Sequence, residues 1–487
     1  MARLRVCYVS AEVFPFAKTG GLGDVGGALP KYLHDLGVEV RVFLPFYDGI
    51  DPSVYSIQWV DWIRNVGIRF PWGELSFSLA VTKLPGSNVD VYLVDCPALY
   101  HRGGIYTADG DEGLRFAYFC RAVVESCQRM GFGPDIFHCH DWHTALLPLY
   151  LQTIYSWDRL FHRSKTLLTI HNIGYQGIFG SGVISQVGLS PWRERFYQED
   201  LRVGIVNFLK TGLLYADALS AVSRTYAEEI CTPEYGFGLD FLLRRRRSSL
   251  FGITNGVDYS LWSPERDPYI PYSYSMEDLS GKERNKRALF EKVGLSYFPG
   301  VPVLGIVSRM VAQKGLELIM EILYPLLWSR EVRFLVLGSG GWAYEEFFER
   351  ARRDFPQRLY YYRGYHDALA HWIEAAADMF LMPSYYEPCG LNQIYSLRYG
   401  TVPIVRKTGG LADTVQLWDP HTGEGTGFVF EHFLPDALEW AIGFALETFQ
   451  NKTAWHRLML NGMSLDYSWQ TQSQKYVALY RYILSHL

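Results

Sequence analysis

The sequence predicts an α/β protein built of two Rossmann-like, doubly wound units that face a central cleft. Three observations carry that expectation. Short apolar runs alternate with helical patterns along the whole chain, the signature of parallel sheets wrapped by helices. The length, 487 residues, exceeds what one ordinary core supports and fits two or three domains. A seven-residue motif occurs twice: Lys18-Thr19-Gly20-Gly21-Leu22-Gly23-Asp24 near the start and Lys407-Thr408-Gly409-Gly410-Leu411-Ala412-Asp413 near the end. Each copy follows a strand-like run and precedes a helix start. Its glycines let the backbone approach a ligand and aim N–H groups at it, and its lysine is a point charge suited to phosphate.

The elements follow in order. In the first half, strands are expected at 6–10, 38–44, 89–95, 136–140, 166–170 and 218–222, with 250–254 as a further candidate. In the second half they are expected at 303–308, 333–338, 359–363, 379–383, 402–405 and 427–430. The polar, Pro-rich stretch 256–284 reads as the boundary, giving domains 1–255 and 256–469. The final segment, 470–487, has helical spacing with Tyr476, Leu479, Tyr480 and Ile483 on one face, free to pack on either domain.

Composition narrows the function classes. A hydrophobic content of 48% with 20% charged residues is that of a soluble globular protein. A net charge of −5 gives no electrostatic case for nucleic acid or an anionic membrane. The run Arg244-Arg245-Arg246-Arg247 reads as a solvated face or helix end. No apolar run reaches the roughly 18–20 residues that span a bilayer, and the N-terminus, starting Met1-Ala2, enters a strand pattern directly, without a signal peptide. The seven cysteines, at 7, 96, 120, 127, 139, 231 and 389, are scattered and odd in number, which argues for reducing cytoplasm. The 34 Tyr, 29 Phe and 14 Trp are a mild hint of carbohydrate, since rings stack on sugar faces as well as filling cores.

Four constellations sit at expected strand ends, where doubly wound sheets bind ligands. Ser308-Arg309-Met310-Val311-Ala312-Gln313-Lys314-Gly315 brings two cations, which can stabilise a departing diphosphate without a metal. Ser384-Tyr385-Tyr386-Glu387-Pro388-Cys389-Gly390-Leu391 leads into a helix. Its Glu387 can accept hydrogen bonds from a sugar, and the N–H groups of Gly390 and Leu391 can bind hydroxyls or phosphate. His138-Cys139-His140-Asp141-Trp142-His143 lacks the carboxylate that a metallo-hydrolase pattern requires at 142, so it reads as a polar rim with Asp141 and Trp142 as sugar contacts. His171, in Thr169-Ile170-His171-Asn172, stands balanced between a structural and a functional histidine. Asp109-Gly110-Asp111 is too common a tripeptide to carry a metal site.

Taken together, Lys18–Asp24, His140-Asp141-Trp142-His143, His171-Asn172, Asn255-Gly256-Val257-Asp258, Ser308–Gly315, Glu387–Gly390 and Lys407–Asp413 resemble the bacterial glycogen synthases and plant starch synthases nearly end to end. These are the family 5 retaining glycosyltransferases of GT-B fold. The resemblance implies transfer of glucose from ADP-glucose to the non-reducing-end 4-hydroxyl of an α-1,4-glucan: glycogen, starch or a maltooligosaccharide. It implies no cofactor beyond that co-substrate, no metal, no nucleic-acid or membrane partner, and a cytoplasmic setting. It makes 1–255 the acceptor-side domain and 256–469 the nucleotide-sugar domain. Residue by residue, Lys18 and Gly21 would meet donor phosphates. Arg309 and Lys314 would stabilise the leaving ADP. His171 would bond the donor glucose near its 6-hydroxyl. Glu387 would position that glucose, with Cys389, Gly390 and Leu391 lining the pocket. Thr408 would touch the distal phosphate and Tyr365 would stack on adenine. Asp141 and Asn255 look like acceptor or glucose contacts.

One departure stands out. Many retaining relatives of the wider fold carry a second Glu eight residues after the first, whereas position 395 here is Tyr. No carboxylate pair can be assigned as a double-displacement couple, which favours front-face attack, with a phosphate oxygen taking the acceptor proton and the backbone carbonyl of His171 one candidate for steadying the oxocarbenium. The competing readings are a transferase using another nucleotide sugar, a catalytically silent glucan-binding protein and a metal hydrolase. The leaving-group cations argue against the second, and the absent carboxylate at 142 against the third.

Overall fold

The computed structural model describes residues 3–107 and 109–487. Met1 and Ala2, at the start of the N-terminal strand pattern, and Ala108 lie outside the described residues. The chain divides into two compact units. The first comprises 1–222, 227–256 and the C-terminal helix Trp469–His486; the second comprises 223–226 and 257–468.

In the first unit the strands are β1 (Arg5–Val9), β2 (Glu39–Pro45), β3 (Gln58–Trp59), β4 (Val66–Phe70), β5 (Gly73–Lys83), β6 (Asp90–Asp95), β7 (Ile136–His140), β8 (Lys165–Ile170), β9 (Ile178–Gly180), β10 (Ile205–Asn207), β11 (Ala218–Ala221) and β12 (Leu250–Gly252). The large sheet runs β12-β11-β8-β7-β1-β2-β6-β5-β3, with β4 beside β5. From β12 to β6 it is parallel, and β3, β4 and β5 add an antiparallel extension. That extension was not expected from the sequence. Its strand β4 alternates buried and exposed residues, the signature of a sheet with one wet face rather than of a covered parallel strand. The central strand β7 is buried throughout. Helix Trp469–His486 seals this unit with Tyr476, Tyr480 and Ile483, all fully buried. The arginine run ends a helix: Arg246 donates to the carbonyls of Leu213 and Ala216, while Arg244 pairs with Asp240.

The second unit holds one six-stranded parallel sheet of β13 (Val303–Val307), β14 (Arg333–Gly338), β15 (Leu359–Arg363), β16 (Met379–Met382), β17 (Val402–Arg406) and β18 (Phe428–Phe430), in the order β15-β14-β13-β16-β17-β18. Two apolar layers cover its faces. One centres on helices Leu316–Ser329 and Pro435–Gln450, the other on Ser280–Val293 and Asp367–Ala376. The stretch read as a boundary is no free linker from Val257 onward. Ile270 and Tyr274 pack with Ala375, Tyr399 and Met463, and buried Asp267 accepts from Tyr399 and pairs with His371. Helix Ser280–Val293 is pinned by two buried lysines. Lys282 donates to the carbonyls of Glu374, Ala375 and Tyr399 and to Thr401, and Lys286 pairs with Asp378 at 2.7 Å.

Candidate functional site

The second unit gathers its chemistry at the carboxyl ends of β13 and β16, which are neighbours. Lys314 Nζ lies 2.6 Å from Glu387 Oε2, and Ser384 Oγ donates to the same oxygen at 2.9 Å. The two loops are laced together: Tyr385 N–H donates to the Gln313 carbonyl, and Gln313 Nε2 to that of Tyr386. Gly315 is obligatory here, being left-handed at φ +65°, with a Cβ that would stand 2.0 Å from the Pro383 carbonyl oxygen. Arg309 is exposed, and its guanidinium has no side-chain or carbonyl partner among the described residues. Cys389 is buried, Gly390 is left-handed at φ +70°, and Leu391 precedes helix Asn392–Arg398.

The second copy of the repeated motif seats on this loop. Gly410 N–H donates to the Glu387 carbonyl at 3.0 Å. A Cβ on Gly409 or Gly410 would lie 1.9 Å from the Glu387 carbonyl oxygen or 2.0 Å from that of Cys389. These glycines therefore admit the protein's own backbone. Lys407 pairs with Glu431, and Asp413 accepts from the N–H groups of Arg224 and Thr225 and from the Thr225 hydroxyl. Thr408 is wholly buried at the N-cap of helix Gly409–Thr414. Tyr365, past the end of β15, is exposed and donates to Asp367. Tyr395 lies in an aromatic column: Trp262 stacks on Tyr395 at 3.8 Å and on His371 at 3.6 Å.

In the first unit a carboxylate that the sequence reading missed organises the first motif. Glu12 accepts from the Thr19 N–H and hydroxyl, the Gly20 N–H and the Tyr106 hydroxyl. Lys18 turns back onto Asp24 of its own motif at 2.6 Å. Gly21 is exposed at the start of helix Gly21–Asp35, with open space where a Cβ would stand. Tyr106 stacks on His143 at 5.0 Å, so Glu12 and Tyr106 connect the motif to the histidine-rich segment.

That segment is buried and held neutral. His140 Nδ1 and His171 Nε2 share a hydrogen bond of 2.9 Å. His138 bonds Thr169 through Nε2 and the Tyr480 hydroxyl of the C-terminal helix through Nδ1. Burial pushes His138 and His140 well below the usual imidazole value and His143 and His171 down to about 3. Asp141 adopts φ +54°, rare for a residue with a Cβ, and its Oδ1 accepts the N–H groups of His171 at 2.7 Å and Asn172 at 3.4 Å. Burial raises its carboxyl to about 7, against the lowering effect of those two donors. Asn255 is buried with Oδ1 unpartnered among the described residues. Beside Asp141, Trp142 packs under left-handed Gly177 and forms one wall of a cavity of about 740 Å³, further lined by Glu112, Tyr175, Gln176, Phe179 and Phe237. The carboxylates of Asp109 and Asp111 are engaged by Arg102, Asp111 through both oxygens.

Comparison with known proteins extends this picture over the whole chain. The starch synthase catalytic domain family matches residues 5–245, and a family of glycosyl transferases group 1 matches 301–448. The chain is 46% identical to a glycogen synthase of Koribacter versatilis, covering 98% of both proteins. It is 43% identical to one of Desulforudis audaxviator, covering 98% of this chain and 96% of that one. The catalytic domain of Starch Synthase IV from Arabidopsis thaliana, bound to ADP and acarbose, superposes with a TM-score of 0.91 at 33% identity over 100% of both chains. Kinship of this extent from end to end shows that the chain belongs to the glycogen synthase and starch synthase family, GT-B glucosyltransferases that elongate an α-1,4-glucan from ADP-glucose.

Proposed function

We propose that the second unit binds ADP-glucose through its diphosphate and hexose and that the chain's own side chains suffice for the transfer. The observation that carries this reading is the Lys314–Glu387 pair at the ends of neighbouring strands, with Arg309 unengaged on the same loop as Lys314. In this reading Glu387 accepts hydrogen bonds from the donor glucose, in a pocket lined by Cys389, Gly390 and Leu391. Lys314 and Arg309 take the charge that develops on ADP as the glycosidic bond breaks. The diphosphate draws the Lys314 ammonium from Glu387, so the carboxylate is freed for the sugar as the donor arrives. Tyr365 stacks on the base, and Thr408 is assigned to the distal phosphate.

The first unit's share follows its burial pattern. His171, held neutral, donates or accepts at the sugar's 6-hydroxyl without adding charge beside an oxocarbenium. Its backbone carbonyl, just past β8, is oriented by the same turn whose N–H groups Asp141 holds. Lys18 and Gly21 are assigned to donor phosphates, and Asp141 and Asn255 to the glucose or the acceptor. The aromatic cavity beside Trp142 suits glucan rings. The acceptor hydroxyl enters on the face that ADP leaves, and a phosphate oxygen takes its proton.

No helix among the described residues is long and apolar enough to cross a membrane. All seven cysteines are buried thiols, which supports the reducing cytoplasm as the setting. The test is to incubate the protein with ADP-glucose or UDP-glucose plus glycogen, without added metal, and to measure released diphosphate and glucan extension. Diphosphate release without extension would overturn the transferase reading of this site, and activity with UDP-glucose alone would overturn the donor assignment.

A further inference from the structure

The proposed donor site lies along the carboxyl edge of one sheet, and the strand order gives it a direction. Glu387 follows β16; Arg309 and Lys314 follow β13; β14 and β15 continue on the far side. A donor with its hexose at β16 and its phosphates at β13 therefore runs on past β14 and β15. Three steps between strands cover about 14 Å, enough to separate a hexose from a nucleobase. Two large aromatics stand at that end, outside the core: Tyr365 after β15 and Trp342 after β14, each 73% exposed.

A single exposed ring on a surface needs no explanation. Trp342 differs in where its loop is fastened. Met310, next to Arg309, donates its N–H to the Ser339 carbonyl at 2.8 Å and accepts the Gly341 N–H at 2.7 Å. A Cβ on Gly340 would lie 2.5 Å from the Met310 carbonyl oxygen, so only glycine lets the loop close this tightly on its neighbour. On the other side Gly364 N–H donates to the Gly338 carbonyl. Buried Glu345 accepts from Gly340 N–H and pairs with Arg363 at 2.5 Å. The loops carrying Arg309, Trp342 and Tyr365 are thus bonded into one ledge. Trp342 is the first residue of helix Trp342–Asp354. Helical side chains lean toward the helix N-terminus, the end of the helix that adjoins this ledge, and Trp342 stays exposed whereas Phe347 and Phe348 of the same helix enter the core.

We infer that Trp342 is a specificity-determining residue of the donor site: its indole takes one face of the nucleobase beside Tyr365 and favours a purine over a pyrimidine. This rests on the donor reading above. Stacking area, which scales with the base, is the source of the preference, and losing one base–aromatic contact weakens binding by about tenfold or more.

The full-length protein and its Trp342→Ala, Trp342→Phe and Tyr365→Ala variants are to be titrated with ADP and with UDP by calorimetry, with melting curves as a control on folding. The expected result is ADP binding weakened about tenfold or more in Trp342→Ala, UDP binding changed much less, near-complete rescue by Trp342→Phe, and a raised KM for ADP-glucose with kcat largely kept. ADP binding by Trp342→Ala equal to that of the unmodified protein would overturn the inference and leave the donor reading standing. Equal weakening of ADP and UDP would overturn the base assignment. If the unmodified protein bound neither nucleotide, the donor reading itself would fall.

Discussion

Replacing Asp141 by Asn separates what this residue costs the fold from what it contributes to activity. Asp141 is an ionisable side chain, buried, at φ +54°. Its carboxyl is raised to about 7 by burial, with the N–H groups of His171 and Asn172 pulling the other way and the charge of Glu12 adding to the rise. An unfolded Asp ionises near 3.9. Between these two values the folded protein binds the proton and the unfolded chain does not, so stability falls as pH rises through that window. The slope is about 1.4 kcal/mol per pH unit, which accumulates to about 4 kcal/mol by neutrality as a ceiling. Asn tolerates the left-handed conformation, keeps an oxygen for both N–H groups and never ionises. Asp141→Asn is therefore expected to match the unmodified protein near pH 4 and to exceed it increasingly up to pH 7, with a constant margin beyond. For a unit of this size 4 kcal/mol corresponds to a melting shift of roughly 8–16 °C. Turnover is expected to fall in the same variant on the sugar contact proposed for the Asp141 carboxylate. Paired melting curves at pH 4.5, 6, 7.5 and 8.5, with activity at each, make the measurement. A difference that did not vary with pH, or a variant less stable at pH 8.5, would refute the reasoning from burial.

Arg309→Ala and Lys314→Ala should each lower turnover by about 10²–10³-fold with little change in glucan binding, measured as diphosphate release against glycogen affinity; near-normal turnover in either would remove it from the leaving-group role. Transfer should survive EDTA, and activity lost to chelator and restored by one divalent ion would return Asp109, Asp111 and the histidines of 138–143 to consideration. Asp378→Ala should destabilise the second unit by about 1–3 kcal/mol, read by urea unfolding, because it leaves the buried Lys286 ammonium with Glu283 alone, at 3.3 Å, and also removes the acceptor of the Val303 N–H.

The parallel parts of both sheets were legible because covered strands are apolar runs: β14 and β15 fall at 333–338 and 359–363, as the sequence predicts. The antiparallel β3, β4 and β5 escaped because their signal is alternation, which a search for continuous apolar runs passes over, and β9 and β10, three residues each, carry too little pattern to find. The candidate residues of the two units divide along the same line. His171, Asp141, Arg309, Lys314 and Glu387 announce themselves at strand ends. Glu12 does not: it holds the Thr19 turn and reaches Tyr106, 94 positions away, and no local pattern marks such a pairing. The bond from His138 to Tyr480 spans 342 positions and is equally silent in sequence. Tyr395 was legible as a departure, but its reason, a ring seated on Trp262, needed the fold.

The repeated motif shows how far near-identical sequence can diverge in use. In the first copy the N–H groups of Thr19 and Gly20 are taken by a carboxylate of the protein itself, Glu12. In the second copy the glycines press on the carbonyls of Glu387 and Cys389, fixing the loop that carries Glu387. The terminal Asp holds Lys18 in one copy and the N–H groups of Arg224 and Thr225 in the other. Both motif lysines are spoken for, Lys18 by Asp24 and Lys407 by Glu431, as Lys314 is by Glu387. On the proposed donor reading, a diphosphate would compete with Glu387 for the Lys314 ammonium. For Arg309 it competes with water alone, since no side-chain or carbonyl partner occupies it among the described residues. On the leaving-group role proposed for Arg309, its recruitment to the departing ADP would break no ion pair, and its loss should be felt in turnover even where Lys314 remains.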